Sequence, residues 1–135
     1  MIEGLSHITF IVRDLNRMTR FLELIFDAEE VYSSGNKTFS ISKEKFFVIN
    51  EIWVAIMEGE SLSERTYNHV AFRIANSEFE KYTERVKSLG VEFRESRNRV
   101  EGEGNSLYFY DYDNHLFELH TGTLEQRLAR YMKLV

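Results

Sequence analysis

The stretch Ser6-His7-Ile8-Thr9-Phe10-Ile11-Val12 alternates and is rich in β-branched and aromatic side chains, and later in the chain His69-Val-Ala-Phe-Arg-Ile74 echoes its last six residues. Both read as strands headed by a histidine. In the first, His7, Thr9 and Ile11 share one face, while Ile8, Phe10 and Val12 share the other. Phe72 aligns on Phe10 and Ile74 on Val12. Each strand runs into a helical pattern. Asp14 is an N-cap for a stripe of Leu15, Met18, Leu22, Ile25 and Phe26 that continues to Asp27. Ser77-Glu-Phe-Glu80 reads as a capping box for a second stripe, Phe79, Tyr82, Val86 and Leu89, ended by Gly90.

Short alternating segments follow the first helix at Glu30–Ser33, Lys37–Ser42, Phe46–Asn50 and Ile52–Met57. Ser33-Ser34-Gly35-Asn36 and Lys43-Glu44-Lys45 supply turns between them, and Gly59–Glu64 is a polar connection. The second helix is followed by strands at Val91–Glu95, Ser106–Asp111 and Leu116–His120, the last two joined by an Asp113-Asn114 turn. An amphipathic helix, Leu124–Met132, closes the chain. The pattern is strand–helix–strands twice over, in repeats of about 4–58 and 66–121 with a final helix over 123–133. A length of 135 residues suits one domain, 1–135, with its own core.

Composition narrows the function. Apolar residues at 43% and charged residues at 29% belong to a globular protein and argue against disorder. With 17 basic against 22 acidic residues and no basic run, nucleic acid and anionic membranes are poor partners. No run approaches the ~20 apolar residues of a membrane span, and the N-terminus does not read as a signal peptide, so a cytoplasmic location is expected. The absence of cysteine excludes disulfide scaffolds, thiolate nucleophiles and cysteine metal sites. Any metal here must be held by His and carboxylate.

Of four histidines, His7 and His69 hold the same place in the two repeats. A histidine in a strand has an ordinary reading as a packed or surface side chain. Symmetric placement favours a shared metal instead, with the imidazoles meeting on one concave surface if a pseudo-two-fold axis relates the repeats. Glu118, between Phe117 and Leu119, fits a third ligand from the last strand of a repeat. Two His and one carboxylate leave coordination positions open for substrate. His115 reads as structural, and His120, on the parity of Glu118, as a group that supports a ligand. Arg94, Arg97 and Arg99 either bind an anion or decorate a strand edge. Gly102-Glu-Gly104 reads as a mobile loop, and Lys43-Glu44-Lys45, by pattern alone, as a solvated turn.

The duplicated unit with His7, His69 and Glu118 resembles the vicinal oxygen chelate superfamily, which includes glyoxalase I, extradiol dioxygenases and fosfomycin resistance proteins. Gly4-Leu-Ser-His-Ile-Thr9, Tyr67-Asn-His69, Ser106-Leu-Tyr-Phe109, His115-Leu-Phe-Glu-Leu-His120 and Gly122-Thr-Leu-Glu-Gln-Arg-Leu128 together resemble the signature blocks of the last group. Ser33–Phe47, with Glu44 inside it, is similar to the hydrolase branch called FosX, which adds water to the epoxide of fosfomycin. The thiol-transferring branches carry a different residue in place of this glutamate. Glu101-Gly102-Glu103-Gly104-Asn105 does not match the potassium-binding loop of the glutathione branch. Asp111-Tyr112-Asp113-Asn114 stands where many superfamily members have Asp-Pro-Asp-Gly; Asn tolerates the positive φ, so the turn is kept.

The resemblance implies an α+β fold of tandem βαβββ half-domains, paired into an intertwined homodimer. It implies Mn²⁺ on His7, His69 and Glu118, with Zn²⁺, Co²⁺ or Ni²⁺ as further candidates. Thr9, Arg94, Ser106, Tyr108 and Arg127 would surround the phosphonate, and Glu44 would be the general base that activates water. Two rivals share the fold. One is a thiol transferase that opens the epoxide with glutathione or a bacillithiol-like thiol. The other is a metal-free binder that sequesters an antibiotic. An isomerase or dioxygenase acting on another chelating substrate also stays open, since fold does not fix function.

Overall fold

The computed structural model describes residues 1–97 and 104–133, so Arg99 and Gly102 lie outside the described residues. Within them the chain forms two compact units, Met1–Glu64 with Asp111–His115, and Arg65–Tyr110 with Leu116–Val135. Each unit contains a four-stranded mixed sheet.

In the first unit the elements are β1 (His7–Val12), α1 (Leu15–Phe26), β2 (Glu29–Ser33), β3 (Glu44–Ile49) and β4 (Ile52–Glu58). The sheet order is β1-β4-β3-β2, with β1 parallel to β4 and the other pairs antiparallel. Alternation decides which side is covered. Phe10, Val12, Phe47, Val54 and Ile56 are buried on one face, and Met18, Phe21, Leu22 and Ile25 of α1 are buried with them. Each such side chain contributes roughly 1.5–3 kcal/mol through burial. The Asp14 carboxylate accepts from Arg17 N–H at 3.0 Å, so the N-cap forms as expected. Asp27 ends the helix in the left-handed region at φ 54°.

Two local expectations need correction. Lys37–Ser42 forms no strand: its alternation lacks a neighbouring strand to pair with, and Phe39 and Ile41 are 70% and 87% exposed. Lys43-Glu44-Lys45 is not a turn, because β3 begins at Glu44. Ser34 makes that start possible. Its Oγ accepts from Glu44 N–H at 2.9 Å, and its own N–H donates to the Glu44 carbonyl at 3.0 Å.

The second unit repeats the plan with β5 (His69–Arg73), α2 (Phe79–Ser88), β6 (Phe93–Ser96), β7 (Ser106–Tyr110) and β8 (Leu116–His120), followed by α3 (Leu124–Lys133). Its sheet order, β5-β8-β7-β6, is that of the first, again with one parallel pair, β5 on β8. The two βαβββ halves make the fold α+β. Leu107, Phe109, Phe117 and Leu119 are buried on one face, as are Phe79, Thr83 and Val86 of α2. The Phe109 and Phe117 rings stack with centroids 5.9 Å apart. The capping box expected at Ser77 is absent. The chain enters α2 through a 3₁₀ turn, Asn76–Glu78, with no side-chain cap bond. A reciprocal cap occurs instead at α3, where Gln126 N–H donates to Thr123 Oγ1 at 3.2 Å and Thr123 N–H to Gln126 Oε1 at 2.9 Å.

The turn between β7 and β8 is held by aspartates within the first unit. Asp111 Oδ1 accepts from the N–H groups of Asp113 and His115, both at 2.9 Å, and its Oδ2 meets His115 Nδ1 at 2.7 Å. Asp113 Oδ1 accepts from Arg13 N–H at 3.0 Å and Ser61 Oγ at 2.6 Å. Asn114 takes φ 69°, the conformation this turn demands. His115 is thus structural, as its position after the turn suggested.

Candidate metal centre and anion pocket

The face of each sheet opposite its helix carries the polar candidates. In the second unit, register sets Ala71 beside Glu118, Glu118 beside Tyr108, Tyr108 beside Arg94, and His120 beside Ser106. His69, Arg94, Ser106, Tyr108, Glu118 and His120 therefore share one face. His69 Nε2 lies 3.0 Å from Glu118 Oε1, and that carboxylate is only 5% exposed.

The donor set at this pair fits a cation. His69 Nδ1 sits 2.7 Å from the Tyr67 carbonyl, which can only accept, so Nδ1 carries the hydrogen. In the neutral ring, Nε2 is then a bare lone pair facing a carboxylate oxygen. Two such lone pairs are at ease only with a positive centre between or beside them, a proton or a metal. The second carboxylate oxygen, Oε2, accepts from Ser106 Oγ at 2.8 Å and lies 3.2 Å from His120 Nδ1.

Tyr108 anchors the neighbouring wall. Its hydroxyl is 2.9 Å from that of Tyr67, and the Arg94 guanidinium lies 5.1 Å from its ring centroid. Burial first, then the Tyr67 hydrogen bond and the charge of Glu118, push its ionisation above the usual tyrosine range. The phenol thus stays neutral and can donate. Ser106, Tyr108, His120, Arg127 and Arg130 line a cavity of about 230 Å³. Arg94, Tyr67 and Tyr108 line a wider cleft of about 610 Å³. Arg97 does not join Arg94: it pairs with Glu80 and, at 3.2 Å, with Glu95.

In the first unit, register sets His7 beside Trp53, Thr9 beside Ala55, Phe46 beside Ala55, and Glu44 beside Met57. His7, Thr9 and Glu44 therefore share one face of that sheet. An aromatic row crosses it: Tyr32 and Phe46 at 4.9 Å, Phe46 and Trp53 at 5.1 Å, Trp53 and His7 at 4.1 Å between centroids. Ser6 Oγ lies 2.9 Å from His7 Nδ1. Sequence reasoning named Tyr67 only within a signature block and did not find that its carbonyl fixes the His69 tautomer, nor did it find Trp53 behind His7. Register would have revealed Trp53 once β1 and β4 were paired; the Tyr67 carbonyl leaves no side-chain signal.

Duplicated βαβββ units with histidines heading both first strands and a buried glutamate on the last define a class. Residues 4–119 match the Glyoxalase/Bleomycin resistance protein/Dioxygenase superfamily, and the chain belongs to it. Within that class it is 69% identical over 133 residues to the fosfomycin resistance protein FosX of Listeria innocua, covering 98% of this chain and all of that protein. The crystal structure of a mutant FosX from Listeria monocytogenes, complexed with Mn(II) and 1S,2S-dihydroxypropylphosphonic acid, is similar at a TM-score of 0.87 and 65% identity, covering 97% of this chain and 99% of that one. The metallothiol transferase FosB of Lysinibacillus sphaericus is more distant, 34% identical over 136 residues, covering 98% of this chain and 92% of that protein.

Proposed function

We propose that this chain is a Mn²⁺-dependent hydrolase that adds water to the epoxide of fosfomycin and so confers resistance to it. The observation that carries this reading is the pinned His69–Glu118 pair, Nε2 and Oε1 3.0 Å apart, beside a wall of neutral phenol and arginine. The diol phosphonate bound to the similar FosX structure is the kind of product that hydration of a propyl epoxide yields.

His7, His69 and Glu118 would hold the metal. Bound Mn²⁺ supplies Lewis-acid stabilisation of negative charge as the strained ring opens. Thr9, Arg94, Ser106, Tyr108 and Arg127 would surround the phosphonate, with the arginines giving charge-assisted bonds and Tyr108 a neutral O–H. Glu44 takes a proton from water as the water oxygen bonds to an epoxide carbon. The carbon–oxygen bond of the ring breaks, its oxygen leaves with the electron pair and takes a proton from solvent, and Glu44 releases the proton it took back to solvent. A general base of this kind contributes typically 10²–10⁴-fold.

The working molecule in this reading is a two-fold symmetric homodimer, His7 coming from one protomer and His69 with Glu118 from its partner. One observation supports it: Leu124, Leu128, Tyr131 and Met132 of α3 are half or more exposed, a surface fitted for cover. Among the described residues, no helix is long and apolar enough to cross a membrane. Product mass distinguishes the readings: a product heavier by one water, with or without added glutathione, is expected, whereas a thiol adduct as main product would make the chain a transferase.

A further inference from the structure

We propose that His120 is a positioning residue, holding the Ser106 hydroxyl so that it fixes the unligated oxygen of Glu118; this rests on Glu118 being a metal ligand. The direction of each hydrogen bond follows from the donors available. A carboxylate only accepts, so the single hydrogen of Ser106 goes to Glu118 Oε2 at 2.8 Å. The serine oxygen must then accept from its other neighbour, His120 Nδ1, also at 2.8 Å. Nδ1 therefore carries the ring hydrogen, which leaves Nε2 bare. Arg127, always a donor, presents Nη2 to that nitrogen at 3.4 Å. Donors run from Arg127 through His120 and Ser106 to Glu118, and His120 Nδ1 also lies 3.2 Å from Glu118 Oε2 itself.

The backbone is shaped around this imidazole. A Cβ on Gly104 would lie 2.4 Å from His120 Cε1, and one on Gly122 would lie 2.9 Å from Nε2. Gly122's would also come within 3.1 Å of the Gly104 Cα. Only glycine at both places lets the ring sit where Nδ1 reaches Ser106. In this arrangement the Ser106 hydroxyl serves the ligand, and the hydrogen it has is not free for a phosphonate. A carboxylate tethered through one oxygen keeps the other aimed beside His69, and loss of such an outer hydrogen bond typically costs 10–100-fold in metal affinity.

The test is Mn²⁺ affinity, read by electron paramagnetic resonance of the free ion, on the purified full-length protein. His120→Phe, Ser106→Ala and the double variant should each bind Mn²⁺ about 10–100-fold more weakly, with the loss in the double variant well short of the two single losses combined. His120→Asn, whose amide N–H replaces Nδ1–H, should recover most of the loss. Gly122→Ala keeps every hydrogen-bonding group yet displaces the ring, so it should weaken Mn²⁺ binding in the same direction. Wild-type affinity in His120→Phe, or losses that add in the double variant, would overturn the positioning role. Glu118→Ala separates the two claims. If it weakens binding while His120→Phe does not, only the positioning role falls; if it binds Mn²⁺ as the wild type does, the ligand assignment falls as well.

Discussion

Glu44 shows how little a residue's own neighbourhood in sequence says about its task. Flanked by two lysines, it has the pattern of a solvated turn, yet it opens β3 on the face that also carries His7 and Thr9. Glu44→Gln preserves size and removes basicity. Hydration of fosfomycin should fall roughly 10²–10⁴-fold while calorimetry still finds Mn²⁺ and fosfomycin bound. Unchanged turnover would return Glu44 to the solvent. Tyr108 makes a second prediction. Its ionisation is raised, so the neutral, hydrogen-bonded form contributes stability that is intact below the ordinary tyrosine pKa of about 10 and is lost as pH rises beyond it. An alkaline titration followed in the ultraviolet should show one tyrosine ionising after the others, and Tyr108→Phe should remove that last step. The same variant should weaken fosfomycin binding, since the ring remains and the donor does not.

At the scale of elements, the two faces of each sheet separate stability from chemistry. Phe117 is 1% exposed and points away from its neighbour Glu118 on β8, into the α2 side. Phe117→Ala should therefore destabilise the fold by about 3–5 kcal/mol, measured by urea unfolding, with Mn²⁺ affinity retained under native conditions. The period-2 and period-3.6 signals that build these elements were legible: β1, α1, β8 and α3 fall within a residue or two of where alternation and apolar stripes put them. Lys37–Ser42 misled because alternation records only the chance of a strand, and pairing needs a partner that this segment lacks. Ser77 misled because a 3₁₀ turn took the place of its cap. Among the proposed ligands, His7 and His69 stood out through symmetry, and Glu118 through a carboxylate set between Phe117 and Leu119 on a last strand. The turn at Asp111–Asn114 was legible, but the Tyr67 carbonyl on His69, the Asp111 carboxylate bonds inside that turn and the glycine seat of His120 depend on atoms brought together by folding, so spacing did not announce them.

At the scale of the whole molecule, duplication divides the proposed ligands between the two halves, His7 in one and His69 with Glu118 in the other. If sites are shared across a homodimer, inactive His7→Ala and inactive Glu118→Ala proteins mixed under exchanging conditions should regain part of the activity, because one of the two sites in a mixed dimer is complete. Assays before and after exchange measure this; no recovery, with subunit exchange confirmed by mass, would mean that each site is built within one chain. The central claim, metal-dependent addition of water to an epoxide phosphonate, is tested most directly by phosphorus NMR of fosfomycin incubated with the protein. With Mn²⁺ the substrate resonance should give way to that of the dihydroxypropylphosphonate, with glutathione present or absent, and chelation of the metal should stop the change. A substrate signal that persists with Mn²⁺, or conversion only when thiol is added, would contradict the account.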